Sequence, residues 1–238
     1  MIKVSHLYKK INQQIILEDI NLDIKRGEIL VVLGQSGAGK SVLLQNLIGL
    51  FKPTQGTIEI DNVDITELSE RKLLDMRKEI GYLFQQGALY DFMTVFENVA
   101  FPLEEHTRLK SREIEAKVLE TLKLVGLEGT ENKNPSELSG GMKKRAALAR
   151  SIVLNSKILF CDEPTSGLDP IRSRDISDLI KAISKKLNCT TVVTSHDIEN
   201  SFRIADRVAV IHEGRLRALG TEAELRKSTD PFIREFLR

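Results

Sequence analysis

The octapeptide GQSGAGKS, Gly34 to Ser41, follows directly on the apolar run ILVVL of Ile29–Leu33. That junction restricts the fold more than any other feature of the chain. A loop of the pattern G-x-x-x-x-G-K-[ST] works where a buried strand delivers it and a helix opens at its end. Its glycines let the backbone curl so that successive N–H groups face one anion, and the helix N-terminus adds the positive end of a dipole. The sequence therefore predicts an α/β core in which Gly34, Gln35, Ser36, Gly37, Ala38, Gly39, Lys40 and Ser41 surround a nucleotide's phosphates. Lys40 supplies charge to the β- and γ-phosphates, and Ser41 offers a hydroxyl to Mg²⁺.

The rest of the chain organises around that junction. Before and after the loop, strand-like runs IKVSHL, IILEDINLDI, EILVVL and TIEID alternate with turns such as Lys52-Pro53-Thr54-Gln55-Gly56, which reads as a mixed sheet around one helix from Gly39 to Gly49. Farther on, Ile114, Val118, Leu122 and Val125 recur at helical spacing. Strand-length runs KILFCDEP and TTVVTSH then flank a helix striped by Ile176, Ile180, Ile183 and Leu187, and strand, helix, strand implies parallel pairing. The economical reading is one domain over residues 1–238, with a helical insertion at about 86–155 and a short helix at about 229–238.

Charge narrows the partners. With 35 Lys+Arg against 34 Asp+Glu the net charge is +1, so no overall field draws the chain to nucleic acid. Cys161 and Cys189 adjoin apolar or β-branched runs and read as core residues. The first ten residues carry no secretory signal. No apolar run approaches the ~18 residues that cross a bilayer, so a membrane role is expected to be peripheral or through a partner.

Three further stretches carry chemistry. ILFCDEP ends a strand in Asp162, expected near the phosphate loop as a Mg²⁺ acid, and Glu163, placed to polarise a water for in-line attack on the γ-phosphate. TTVVTSHD puts His196 just past a strand's carboxyl end, where ligands of open α/β sheets gather. ELSGGMKKR opens a second glycine-rich helix, with Ser139 as cap before Gly140-Gly141. SGLDP adds Asp169 as a helix cap before Pro170.

In this order these motifs resemble the nucleotide-binding subunits of ABC transporters, over essentially the whole chain. LSGGM, Leu138–Met142, matches the family signature LSGGQ with Met142 in place of Gln. The resemblance implies a RecA-like core, an antiparallel β subdomain and a helical insertion subdomain. It implies ATP and Mg²⁺ as cofactors, and a head-to-tail homodimer in which Ser139, Gly140 and Gly141 of one copy close over the nucleotide held by Lys40 of the other. It also implies that Gln85 in GYLFQQG links Mg²⁺ to a membrane permease, that Asp169 reaches across the dimer, and that His196 contacts the γ-phosphate. The family's upstream aromatic, which stacks on adenine, is replaced by Ile11; Tyr8 is the nearest aromatic, so either Tyr8 stacks or apolar contact holds the base.

QQGALYDFMTVFENVAFPLEEHT, GKSVLLQNLIGL, SFRIADR and DPFIREFL further resemble the ATPase of MCE-associated, Mla-type lipid transporters of diderm bacteria. That implies integral permease subunits and an MCE-domain lipid-binding protein as partners, a place on the cytoplasmic face of the inner membrane, and phospholipid or a related lipid as cargo. An amino acid importer, a lipoprotein exporter or a soluble non-transport ATPase would share the catalytic motifs. Leu89, Tyr90, Phe92 and Met93 crowd the expected permease surface. In the tail, Phe232, Ile233, Phe236 and Leu237 make one apolar face, to be covered by the chain itself or by a second copy.

Overall fold

The computed structural model describes residues 2–238. In chain order it begins with β1 (Ile2–Ile11), β2 (Gln14–Ile24), β3 (Ile29–Leu33), α1 (Lys40–Leu47), β4 (Gln55–Ile60), β5 (Val63–Asp64) and α2 (Glu70–Arg77). Next come β6 (Ile80–Leu83), α3 (Val95–His106), α4 (Ser111–Leu124), α5 (Gly140–Ile152), β7 (Ile158–Cys161) and α6 (Pro170–Leu187). The chain closes with β8 (Thr190–Ser195), α7 (Ile198–Ile204), β9 (Arg207–His212), β10 (Arg215–Gly220), α8 (Glu222–Arg226) and α9 (Pro231–Phe236). These elements form two compact units, one from the residues up to Arg77 together with Thr190–Arg238, the other from Lys78–Cys189.

Within the first unit the strands divide between two sheets rather than forming the single mixed sheet that the early strand runs suggest. The order β2-β1-β4-β5 makes an antiparallel sheet, while β3 pairs in parallel with β8 and β9, and β10 runs antiparallel to β9. The reason lies in the side chains. Every residue of β3 is buried, so it needs cover on both faces. In β1, by contrast, Ile2 and Val4 alternate with more exposed neighbours. That alternation slips one position before Leu7, at a bulge where His6 and Asp19 face each other across β1 and β2 with φ of 49° and 50°. His6 Nδ1 lies 2.8 Å from Asp19 Oδ1, and the His6 N–H donates to Asn21 Oδ1 at 2.9 Å. The two sheets are tied through Arg207, which donates to the Glu28 carboxylate at 2.5 and 3.0 Å and to the Asp23 carbonyl at 2.6 Å.

The tail packs on its own unit. Asp230 caps α9 through the N–H groups of Phe232 and Ile233, and Ile233 and Leu237 are buried. The Phe232 ring packs tilted against His212, centroids 4.1 Å apart, with the Arg217 guanidinium 5.7 Å from its ring centre. Of the two ways to cover this apolar face, the chain itself accounts for Ile233 and Leu237.

The second unit contains the parallel pair β6 and β7, in register from Ile80↔Ile158 to Leu83↔Cys161. Of the predicted stripes, Ile114, Val118, Leu122 and Val125 are buried, as are Ile176, Ile180 and Ile183, while Leu187 at the end of α6 is half-buried. Ahead of α3 the chain is held by one side chain that no periodicity reveals. Asn98, fully buried, donates to the carbonyls of Tyr90, Met93 and Thr94 at 3.0–3.1 Å and accepts from the Tyr90 N–H at 2.8 Å. Asn98→Leu keeps the volume but removes partners from one donor and three acceptors. It should lower unfolding free energy in urea by about 2–4 kcal/mol, with far-UV helicity retained.

Candidate functional site

The phosphate loop sits at the carboxyl end of β3, and its lysine is tied into its backbone. Lys40 is 4% exposed and its ammonium donates to the carbonyls of Gly34 at 2.9 Å and Gln35 at 3.0 Å. Gly39 caps α1 with φ 99°, a left-handed conformation, and a Cβ there would lie 2.9 Å from Leu17 Cδ2 and 3.0 Å from the Ile16 carbonyl oxygen. Glycine is thus required both by the turn and by the approach of β2. Gln35, Ser36 and Gly37 are exposed, Ala38 is buried behind them, and Ser41 lies half-buried in the first turn of α1.

The same unit brings His196 to this edge. β3 and β8 run in register to Leu33↔Ser195, the Gly34 N–H donates to the Ser195 carbonyl at 3.2 Å, and His196 follows, exposed, in a bend before Asp197 caps α7. Tyr8 belongs to the other sheet of this unit, where it pairs with Gln55 of β4, and Ile11 is exposed at the end of β1.

In the second unit the acids stand together. The Asp162 N–H donates to the Leu83 carbonyl at 2.8 Å, which extends the β6–β7 ladder by one residue and leaves Asp162 only 7% exposed. Glu163 turns the chain with φ 42°, a conformation that costs a non-glycine residue about 1–2 kcal/mol. The Gln85 amide donates to Ser166 Oγ at 3.3 Å, so Gln85 and the residues just after Glu163 meet at the ends of β6 and β7. Asp162 and Gln85 here, and Ser41 in the first unit, are oxygen donors of the hard type that Mg²⁺ takes, and the near-burial of Asp162 fits a carboxylate kept for a cation.

Ser139 caps α5, accepting from the Met142 N–H at 3.4 Å. Its glycines look onto the Asp169 turn: a Cβ on Gly140 would lie 3.5 Å from Leu168 Cδ2, and one on Gly141 3.8 Å from Arg172 Cδ. Asp169 caps α6 through the Arg172 N–H at 3.0 Å and pairs with its guanidinium at 3.3 Å. Ser139, Gly141, Met142 and Arg172 line an open pocket of about 180 Å³.

Two neighbours of these acids escape sequence reasoning. Tyr82 on β6 donates to Asp162 Oδ2 at 3.4 Å; burial, then the Asp162 charge, pushes its phenol above the ordinary tyrosine range. Lys144 on α5 is buried and donates to the Gln85 carbonyl; desolvation lowers its pKa, opposed by the Glu163 carboxylate. A lysine inside an otherwise apolar helix face is the one signal that could have marked it.

A phosphate loop on a parallel sheet, with a strand-end Asp-Glu pair, defines a P-loop nucleotide-binding protein of α/β class. The family model described as ABC transporter matches residues 17–166. The chain is 45% identical over 236 residues, 99% of its length and 68% of the relative's, to the probable ribonucleotide transport ATP-binding protein mkl of Mycobacterium leprae. It is 43% identical over 238 residues, 100% of its length and 90% of the relative's, to the intermembrane phospholipid transport system ATP-binding protein MlaF of Haemophilus influenzae. Among solved structures it resembles the dimeric post-hydrolysis state of the ATP-binding cassette MJ0796 bound to ADP and Pi, with TM-score 0.85, 34% identity and coverage of 93% of this chain and 98% of that one. The chain belongs to the ABC transporter ATP-binding family, whose cassettes bind and hydrolyse ATP. Ser139→Ala should then have a stability effect separable from any effect on turnover. Loss of the α5 cap should cost about 1 kcal/mol in urea unfolding without nucleotide, and an unchanged midpoint would mean the hydroxyl does not cap.

Proposed function

We propose that the chain is the ATP-hydrolysing subunit of an ABC transporter that moves phospholipid or a related lipid between membranes. Hydrolysis rests on one observation above the rest: Glu163 is held at a strained turn directly after the nearly buried Asp162 at the end of β7. Lys40 and the N–H groups of the loop from Gly34 to Ser41 bind the phosphates. Asp162, Ser41 and Gln85 would hold Mg²⁺, which when bound neutralises charge on the phosphate oxygens. Glu163 accepts the proton of the attacking water, and His196 steadies the γ-phosphate. Tyr8 or the apolar Ile11 meets the base.

Ser139, Gly140, Gly141 and Asp169 act on the nucleotide of a second copy. Support for this pairing comes from the exposed glycine-rich N-terminus of α5 and from the dimeric state of the solved cassette at TM-score 0.85. The cargo assignment draws on the phospholipid-system relative, which this chain matches nearly end to end, 100% of its own length and 90% of the other's. Among the described residues no helix is long and apolar enough to cross a membrane, so the assembly takes its pore from integral permease subunits, with an MCE-domain lipid-binding protein in the same complex. The ATPase works at the cytoplasmic face of the inner membrane.

The permease would rest on the shelf after Gln85, where Tyr90 is exposed, Leu89 is half-buried and Phe92 is 80% exposed. Apolar anchors of this kind cost about 2 kcal/mol or more each when truncated. Replacing Leu89 and Phe92 together by Ser should release the ATPase from its permease on purification while nucleotide binding persists; a full complement of permease with the double variant would reject the shelf. For hydrolysis, Glu163→Gln should keep ATP binding and lower turnover by about 100-fold or more, whereas near-normal turnover would remove Glu163 from the role.

A further inference from the structure

Helix α5 begins at the signature and continues for 13 residues. One side of it, carrying Lys144, Ala147, Arg150 and Ser151, meets the chain that leaves β6 and passes through Gln85 to Tyr90. Two glycines allow backbone to come this close. A Cβ on Gly81 would collide with the Ser151 carbonyl, and one on Gly87 would sit 3.3 Å from the Ala147 Cβ, at a residue whose φ of 78° already favours glycine.

Across this contact two cations of α5 take three carbonyls of the loop. The Lys144 ammonium donates to the Gln85 carbonyl. The Arg150 guanidinium donates to the carbonyls of Gly87 at 2.8 Å and Ala88 at 2.7 Å, and lies 5.6 Å from the Tyr90 ring centre. From the other side Asn98 holds both the N–H and the carbonyl of Tyr90, whose ring contacts Phe92 at 5.7 Å and Phe101 at 5.3 Å. Apolar residues could pack the same helix at less desolvation cost, so a buried lysine and a half-buried arginine that both spend their donors on loop carbonyls point to a need for fixed geometry rather than for stability.

We propose that Lys144 and Arg150 are positioning residues that fasten the loop after Gln85 to the signature helix, so that the signature and the aromatic shelf move as one body. Ser139 and Arg150 are eleven positions apart, about 16 Å along the helix. A shift of the signature on meeting a phosphate is therefore delivered, through three backbone carbonyls, to Tyr90 and Phe92. The fastening stands on the geometry of this unit alone, and its use as a relay to a permease rests on the transport reading.

The test compares wild type, the double variant Lys144→Met with Arg150→Met, and the donor-keeping variant Lys144→Arg with Arg150→Lys. Each is studied as the full chain and as the complex purified with its permease. In the Met variant, amide hydrogen exchange over residues 86–92 should quicken about tenfold or more while amides of α5 keep their protection. The KM for ATP of the isolated chain should stay within about twofold, while the ratio of kcat in the complex to kcat alone falls toward one. The donor-keeping variant should recover most of both effects. If the Met pair does not fold, Arg150→Gln alone, which loses the fork but keeps a polar group, is read in the same way. Unchanged exchange would overturn the fastening, and faster exchange with full stimulation by the permease would overturn the relay. Wild-type hydrolysis that no permease alters would instead remove the transport reading, and the exchange result would still decide the fastening.

Discussion

The ammonium of Lys40, turned back onto the carbonyls of Gly34 and Gln35, is the contact on which the nucleotide half of the structure depends. A charge this deeply buried requires acceptors, and two of them are carbonyls of the loop's own backbone. The loop is thereby closed on itself. Its closure in turn requires a strand buried on both faces to deliver it, which β3 is, and a glycine at position 39 that lets β2 lie against it. The antiparallel sheet is anchored around the same point: the Glu18 N–H donates to the Gly214 carbonyl at 2.8 Å, and Gly214 in turn lies against Ile16.

Parts of this were legible because their physics is local. The phosphate loop, the caps Ser139 and Asp169, and the stripes of α4 and α6 apart from Leu187 each follow from a few neighbouring residues, and each occurs where its pattern put it. The division of the early strands into two sheets was legible only through the family resemblance, which implied an antiparallel β subdomain beside a RecA-like core; local pattern could not supply it, since pairing of β3 with β8 joins residues about 160 positions apart. The bulge at His6 and Asp19 was equally hidden, because it arises from two left-handed residues meeting across strands. Asn98, Tyr82, Lys144 and Arg150 share one reason for being missed. Each acts by a side chain on backbone or on an acid far along the sequence, or inside a loop without period.

The acid pair shows how strain and hydrogen bonding divide the labour within two residues. Asp162 continues the ladder of β7 and stays sheltered, whereas Glu163 takes φ 42° and leaves the strand direction. Successive residues of a strand would point to opposite faces. The left-handed turn breaks that alternation, so a sheltered carboxylate suited to a cation and a more accessible one suited to water can stand side by side.

The loop from Gln85 to Ala88 is held differently from either acid, because α5 grips its carbonyls rather than its side chains. A carbonyl is the same group whatever residue bears it, so the shape of the loop is maintained without specifying the residues that follow. Phe92 remains 80% exposed, and Tyr90 is restrained mainly through its backbone and through ring contacts. Shape and partner choice are thereby separated. The cations of α5 and Asn98 fix where the shelf stands through backbone groups, and the exposed side chain at position 92 takes no part in those hydrogen bonds.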